Sequence, residues 1–211
     1  MSPKNNVSEE RKSQILDAAM ETFSELGFHK ARMSDIAETS GLSKGSLYWY
    51  FDSKDSIILN LLEKFFEPEL KDLRALLTDS RSAEDRLEIY VDRVSTDMAT
   101  MLKWMPLVHD FIALAFRKEQ VRKAISRYYK MHLEILLSLI QQGLDAGEFQ
   151  ADNAMEASIA IGSILEGTVL LWVYDPSHID LKYHIKSNIN LLLQGLRTKS
   201  TLAKQTVEQN L

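Results

Sequence analysis

The sequence predicts an all-α fold of about nine helices, and three observations lead to this class. Prolines and glycines are few, four and eight in 211 residues, whereas Leu, Ala, Glu, Lys and Met are abundant. Apolar residues recur at spacings of three and four along most of the chain. The content of 45% hydrophobic and 26% charged residues is enough for a packed core.

The composition also excludes several classes of protein. The chain has no cysteine, so disulfides and thiol redox chemistry are absent. The first twelve residues contain no apolar core of a signal peptide, and no later stretch reaches about eighteen uninterrupted apolar residues. We therefore expect a cytoplasmic protein without a membrane segment.

The first three helices follow from apolar spacing and from the residues at their ends. Residues 8–26 form one amphipathic pattern, with Ser8 placed as the N-cap and Gly27 as the stop. A short second helix begins near Met33 and ends at Gly41. Only a tight turn fits before Ser43, which is placed to cap the third helix. Two short helices joined in this way form the helix-turn-helix pattern that enters the DNA major groove.

The third helix has two unlike faces. At about 100° per residue, Leu47 and Phe51 share one face, while Gly45 and Trp49 lie opposite. The outward face lacks the carboxylates and long side chains that usually solvate a surface helix. It therefore suits contact with another surface.

This region closely resembles the DNA-binding domain of the TetR/AcrR family of bacterial transcriptional regulators. The resemblance covers about the first quarter of the chain and rests on fixed spacings. Its motifs are Gly27-Phe28, Asp35-Ile36-Ala37, Gly41-Leu42-Ser43-Lys44-Gly45-Ser46-Leu47-Tyr48-Trp49-Tyr50-Phe51 and Ser53-Lys54-Asp55. It implies a three-helix DNA-binding head, residues 1–52, followed by a helical ligand-binding and dimerisation body, residues 53–211. One departure is Ala31-Arg32, where the family usually has a hydroxyl pair; losing that cap costs about 1 kcal/mol, and Arg32 is predicted to offset it by contacting a phosphate.

The DNA contacts follow from side-chain chemistry matched to the family motif. A lysine can reach a guanine edge, a glycine lets the backbone approach the groove, and hydroxyls donate to phosphates. Trp49 is expected to meet thymine methyl groups or sugar edges, and Lys54 to hold a phosphate at the start of the fourth helix. Leu47, Phe51, Ile36 and Phe23 are expected to be core. The predicted DNA-binding residues are Arg32, Ser43, Lys44, Gly45, Ser46, Tyr48, Trp49, Tyr50 and Lys54.

Six further helices are predicted in the body. Ser53 caps a fourth helix that Pro68 kinks or breaks. Ser82 opens a fifth helix through a capping box. The others are predicted at about 107–117, 119–144, 152–174 and 179–197, with Gly143 and Gly147 ending the seventh and Asp152 capping the eighth.

An adaptable apolar pocket in the body is expected to bind a small hydrophobic effector, although most such residues in a helical body are core. The candidate ligand-binding residues are Met98, Met101, Trp104, Met105, Phe111, Tyr128, His132 and Glu166. Glu166 lies in an apolar run, so it is paired, protonated or turned to a polar cavity, where it would suit a cationic ligand; a place at the dimer edge is equally open. The basic run from Arg117 to Lys130 is either a solvated face or a site for an anionic ligand such as an acyl-coenzyme A.

The last two helices carry more apolar surface than a single small body needs. In the resembled family, they pair with their copies in a four-helix bundle. Gly162 and Gly167 are unfavourable inside a helix unless another helix approaches closely, from the same subunit or from a partner. The predicted interface residues are Gly162, Val169, Trp172, Ile185, Ile189, Leu192 and Leu196.

Together these features predict a homodimeric, ligand-responsive repressor that binds a near-palindromic operator in double-stranded DNA. We found no metal-ligand spacing, no glycine-rich phosphate loop and no nucleophile with an evident base, so neither an enzyme nor a cofactor is expected. The alternative is a helical small-molecule-binding or interaction protein without sequence-specific DNA binding. Under that alternative, Tyr48→Phe or Lys54→Ala would leave function intact.

Overall fold

Nine α-helices and no strand are present in the part of the chain that the structure describes, which confirms the predicted all-α class. The computed structural model describes residues 3–196, except for the side chains of residues 3–6, 103, 105 and 106. The helices are α1 Pro3–Leu26, α2 Met33–Ser40, α3 Lys44–Tyr50, α4 Lys54–Ala75, α5 Ala83–Thr100, α6 Met105–Ala115, α7 Glu119–Asp145, α8 Ala154–Tyr174 and α9 Leu181–Leu196. Short 3₁₀ turns follow α4 at Leu76–Thr78 and precede α6 at Leu102–Trp104.

The chain divides into two compact units. The first comprises the described residues up to Glu69 together with Leu102–Tyr128. In it, α1 packs against α2 and α6, and α2 packs against α3. The second comprises Leu70–Met101 and the described residues from Tyr129 onward, with α9 packed against α5 and α8. The α6 helix therefore groups with the predicted head, although the sequence places it in the body; the functional boundary after residue 52 stays a prediction.

Side-chain caps begin several helices. The Ser43 hydroxyl accepts the Ser46 amide at 3.1 Å, and the Ser82 hydroxyl accepts the Asp85 amide at 3.1 Å. Both were predicted as N-caps and are confirmed. Ser8 lies inside α1, which extends back to Pro3, so its predicted capping role is wrong. Proline is tolerated in the first turn of a helix because the amide missing there has no helical partner.

Two further helix ends differ from the prediction. The α8 helix is capped by Asn153, whose side-chain oxygen accepts the Met155 amide at 2.9 Å, and not by Asp152. Gly143 lies inside α7, and the ring of Phe149 packs so closely on it that an added Cβ would lie 2.2 Å from Cδ2. The required absence of a side chain explains this glycine, whereas Gly147, at φ +71°, follows the end of α7.

Pro68 lies within α4, which continues to Ala75. Of the two predicted outcomes, a kink or a break, the break therefore does not occur, and the kink stays a prediction. A proline inside a helix removes one backbone hydrogen bond, and the remaining bonds on both sides keep the helix continuous.

The α8 helix is apolar enough and long enough to cross a membrane by composition alone. Its buried residues include Ile161, Leu165 and Thr168, and the helix packs against α9. The opposite side remains exposed, with Leu170, Leu171 and Tyr174 at 47%, 52% and 72% exposure. Among the described residues, no other part of the subunit covers this apolar side of α8.

Candidate DNA-binding surface and ligand-binding body

The α1 helix braces the helix-turn-helix. Gln14 of α1 donates its side-chain amide to the Ser40 carbonyl oxygen at the end of α2, at 2.7 Å. Thr22 and Thr39 form a second bond between these helices at 3.2 Å. Gly41 then ends α2 in the left-handed conformation, at φ +67°, which glycine adopts without the steric cost of a side chain.

The α3 helix presents the outward face that the sequence predicts. Leu47 and Phe51 are buried, as are Ile36 and Phe23, so all four predicted core residues are confirmed. Trp49 is 74% exposed, and its ring stands edge-on to the Tyr50 ring with centres 4.6 Å apart. The other exposed residues of this surface are Ser43, Lys44, Gly45, Ser46 and Tyr48. The outward face of α3 is therefore exposed to solvent, and Lys44 is its one charged residue.

The start of α2 is held without the usual hydroxyl cap. The Asp35 carboxylate accepts the backbone N–H of Arg32 at 2.8 Å. The Arg32 side chain is exposed beside the first turn of α2. A carboxylate at this end of a helix also interacts favourably with the helix dipole. Asp35 thus partly replaces the missing cap, and the guanidinium group of Arg32 remains at the surface.

Lys54 makes contacts within the protein that the sequence did not predict. Its ammonium group donates to the carbonyl oxygens of Phe28 and Ala31, at 2.5 and 2.7 Å, and lies 4.4 Å from the ring centre of Phe28. Burial, followed by the charge of Lys118, lowers the pKa of Lys54. Its predicted phosphate contact stays a prediction, with these bonds as a structural role in addition.

Two charged residues outside the predicted head, Asp110 and Lys118, lie close to Phe28 in the turn between α1 and α2. The Asp110 carboxylate of α6 accepts the backbone N–H of Phe28 at 2.9 Å. Lys118, just before α7, pairs with Asp55 of α4 at 2.6 Å. Sequence reasoning did not select Asp110; the available signal is a lone carboxylate in the apolar segment of α6.

The predicted ligand-binding residues are distributed over both compact units. Trp104, Phe111 and Tyr128 belong to the first, and Met98, Met101, His132 and Glu166 belong to the second. Phe111 and Tyr128 are buried, and the Tyr128 ring stacks on Phe66 with centres 4.8 Å apart. The side chain of Met105 lies outside the described residues.

A buried polar pair lies in the second unit. The hydroxyl of Tyr90 is 3.1 Å from Nδ1 of His132. Burial lowers the pKa of His132 to about 4, so its imidazole is neutral at pH 7. The pair therefore offers hydrogen-bonding groups without a charge.

Glu166 combines exposure with desolvation. Its side chain reaches the surface of the subunit, yet the apolar atoms around its carboxyl group raise the pKa of Glu166. This environment disfavours a fixed negative charge.

The basic run of α7 is only partly neutralised within the described residues. Lys118 pairs with Asp55, and Lys123 pairs with Glu119 at 2.9 Å. Arg127 lies over the Tyr128 ring and donates to its hydroxyl at 3.0 Å. Arg117 and Arg122 are exposed.

Comparison with known proteins gives the family of the chain. The model of the tetR family of bacterial regulatory proteins matches residues 15–61, and that of the C-terminal region of YsiA-like proteins matches residues 63–195. The fatty acid metabolism regulator protein of Bacillus subtilis is 26% identical over 88% of this chain and 95% of its own. The chain belongs to the TetR family of transcriptional regulators.

Solved structures agree with this membership. A fatty acid degradation regulator, FadR, of Bacillus halodurans is 26% identical with a TM-score of 0.74, covering 94% of this chain and 99% of its own. FadR of Bacillus subtilis in complex with stearoyl-CoA is 25% identical with a TM-score of 0.71, covering 87% and 98%. This TetR-family chain is thus a ligand-responsive DNA-binding repressor and not an enzyme.

The predicted dimer surface of this TetR-family regulator needs one correction. Ile185 and Ile189 of α9 are fully buried within the subunit, so they are core residues and cannot meet a partner. Val169, Trp172, Leu192 and Leu196 are partly exposed. Helical periodicity shows that two apolar residues share a face, but not which neighbour covers it.

Among the described residues, two of the surface cavities lie in the second unit, and neither of these is lined by a predicted ligand-binding residue. One, about 940 Å³, is a groove between α5 and α9 with Asp92 and Lys186 among its lining residues. The other, about 720 Å³, lies between the end of α7 and the start of α8. These grooves do not locate the effector site of the regulator.

Proposed function

We propose that this regulator is a cytoplasmic homodimer that binds a near-palindromic operator and is released from it by a long-chain acyl-coenzyme A. The observation that carries the effector assignment is the likeness of nearly the whole chain to FadR of Bacillus subtilis in complex with stearoyl-CoA. The likeness to known proteins extends over residues 63–195, the part predicted to bind the effector.

The operator is bound by the exposed face of α3 in this proposal. Lys44 reaches base edges, Gly45 lets the helix backbone approach, and Trp49 covers sugars or methyl groups. Hydroxyl groups of Ser46, Tyr48 and Tyr50 and the charges of Arg32 and Lys54 contact phosphates. The exposure of the adjacent Trp49 and Tyr48 supports this role, because neighbouring exposed aromatic side chains form a surface that suits a partner.

An acyl-coenzyme A joins an apolar chain to a group of phosphates. The buried apolar side chain of Phe111, in the first compact unit, suits the acyl chain. Arg117 and Arg122 suit the phosphates, because they are exposed and long enough to reach an anion.

Calorimetric titration of the purified protein tests the effector. We expect stearoyl-CoA to bind tightly, and stearate, coenzyme A and the lipophilic cation tetraphenylphosphonium to bind at least tenfold more weakly. Arg117→Ala with Arg122→Ala is expected to weaken stearoyl-CoA binding about tenfold. The matched control is Lys123→Ala, whose charge is already paired with Glu119. Tighter binding of the cation than of stearoyl-CoA would contradict the assignment.

The exposed apolar side of α8 is proposed as the dimer surface. Among the described residues, no atom lies within 4 Å of a Cβ placed on Gly162 or Gly167. The explanation by packing within the subunit therefore lacks support, and a partner helix is the remaining reason for these glycines. The partly exposed Val169 lies near Gly162 on the helix surface, whereas Trp172 shares the side of the buried Ile161 and Leu165.

The oligomeric state tests this surface directly. Leu171→Lys is expected to convert the dimer to a monomer in size-exclusion chromatography with light scattering, since it places a charge in an apolar interface. The control is Ile112→Lys, an exposed apolar residue of α6. A dimer that persists in Leu171→Lys and dissociates in Ile112→Lys would move the interface to α6.

Release from DNA is proposed to follow from a population shift. The two recognition helices of a dimer must match successive major grooves, about 34–36 Å apart. Effector binding favours a conformation in which they no longer do so, and operator affinity falls. In a gel-shift titration, saturating stearoyl-CoA should release the operator; unchanged operator affinity would contradict this mechanism.

A further inference from the structure

The turn between α1 and α2, residues 27–31, is held by charged side chains from two other helices. Asp110 of α6 accepts the backbone N–H of Phe28 at 2.9 Å. Lys54 of α4 donates to the carbonyl oxygen of Phe28 and, at 2.7 Å, to that of Ala31. Besides the bond from the Ala31 amide to the Gly27 carbonyl oxygen at 3.1 Å, the turn therefore depends on residues far from it in sequence.

Asp110 serves an amide that has no other hydrogen-bond partner among the described residues. The turn follows Gly27, which ends α1 at φ +74°, so the Phe28 amide lies outside the regular hydrogen bonds of the helix. The Phe28 side chain is buried, which fixes the residue in place. A partly buried amide requires an acceptor, and a carboxylate is a strong one.

The turn leads directly to the predicted DNA contacts. Its last residue, Ala31, is buried and precedes Arg32, whose backbone N–H is held by Asp35. The position of Phe28 thus limits where α2 begins and where the Arg32 side chain emerges. Lys54, the other charged residue proposed to contact a phosphate, lies against the same turn.

We propose that Asp110 is a positioning residue for operator binding: through the Phe28 amide, it sets the turn that precedes Arg32 and that Lys54 of α4 contacts. The inference rests on the DNA contacts proposed above. It assigns to α6, a helix outside the predicted head, a direct share in the geometry of the DNA-binding surface.

The charge of Asp110 makes the proposal easy to distinguish from a general electrostatic effect. A carboxylate near a DNA-binding surface repels phosphates, so its removal alone would strengthen binding. Loss of the hydrogen bond to Phe28 instead weakens binding by displacing the turn. The two effects have opposite signs in Asp110→Ala and are separated in Asp110→Asn, whose amide oxygen still accepts a hydrogen bond.

The experiment uses the full chain and a DNA duplex that the wild-type protein selects from a random-sequence pool. Affinity for this duplex is measured over a series of salt concentrations. Asp110→Ala is expected to bind three- to tenfold more weakly, with a salt slope that falls by less than one, because it displaces the turn before Arg32 and leaves the Arg32 charge in place. Asp110→Asn should bind at least as tightly as the wild type. Arg32→Ala, a direct contact, should lower both the affinity and the salt slope, the slope by about one.

A second variant covers the case in which Asp110→Ala does not fold, as judged by circular dichroism. Asp110→Glu keeps the charge and displaces the carboxylate by one methylene, so weaker binding than in Asp110→Asn is expected. Equal or tighter binding by both Asp110→Ala and Asp110→Glu would overturn the proposal, as would Asp110→Asn binding as weakly as Asp110→Ala. A wild-type protein that selects no duplex would contradict the DNA-binding role itself, which is a separate failure.

Discussion

The ammonium group of Lys54 lies 2.7 Å from the carbonyl oxygen of Ala31, the residue that precedes the start of α2. It also donates to Phe28 and lies 4.4 Å from the centre of its ring. Lys54 therefore stabilises the turn between α1 and α2, and it is also a predicted phosphate contact. Its role in the fold and its role in DNA binding can be separated by mutation.

Lys54→Met is expected to lower the free energy of unfolding by about 2 kcal/mol, because it removes charge-assisted hydrogen bonds to two carbonyl oxygens. Operator affinity should fall as well. The control is Lys44→Met, on the exposed face of α3, which should lose affinity with a stability change within about 0.5 kcal/mol. Urea unfolding without DNA measures the first quantity, and equal stability of the two variants would contradict the structural role of Lys54.

Gly45→Ala should separate stability from DNA binding in the opposite direction. A Cβ at this position would have Ser43 Oγ as its nearest neighbour, at 3.9 Å, so alanine fits the protein. Alanine should stabilise α3 by up to about 1 kcal/mol, whereas operator affinity should fall at least tenfold if the backbone approaches the groove. The control, Gly41→Ala, should instead lose about 1 kcal/mol because its φ of +67° is unfavourable for alanine. Undiminished operator binding by Gly45→Ala would show that α3 does not approach so closely.

His132 should make the stability of the protein depend on acidity. Its pKa is lowered from 6.5 to about 4 by burial. The unfolded chain therefore binds the proton first, and stability that is fully present above about pH 6.5 is lost as the pH falls towards 4, by up to about 3 kcal/mol. His132→Gln should lose this part of the pH dependence in urea unfolding, and exposed His29→Gln should retain it. Identical pH profiles for His132→Gln and the wild type would contradict the assignment.

Glu166 should have the opposite dependence on pH. Its pKa is raised above 4.5 by desolvation, so the folded state holds the proton longer than the unfolded chain. Ionisation then lowers stability as the pH rises through the folded-state pKa. Glu166→Gln should be more stable than the wild type at pH 7.5 and similar to it below pH 4.5. Glu156→Gln, exposed in the first turn of α8, is the control and should change stability by less than about 0.5 kcal/mol.

Much of the fold could be predicted because helices depend on local patterns. The caps Ser43 and Ser82 and the stop at Gly41 act on amides and carbonyls within a few residues, so their sequence neighbourhood defines them. The predicted helix end at Gly143 is wrong. A glycine is required there because the ring of Phe149, which follows α7 in the sequence, packs against it. The predicted place of Ile185 and Ile189 in the dimer interface is wrong, because an apolar helix face does not show whether the same subunit or a partner subunit covers it.

The candidate DNA-binding surface divides in the same way. The outward face of α3, with Gly45 and Trp49 opposite Leu47, follows from helical periodicity and was determined by the sequence alone. Tertiary structure decided that Asp110 holds the Phe28 amide across 82 positions of sequence, and that Lys54 holds the same turn across 26. Local rules relate residues only a few positions apart, whereas these bonds exist because the packing of α6 and α4 brings distant polar groups to amides and carbonyls that need partners.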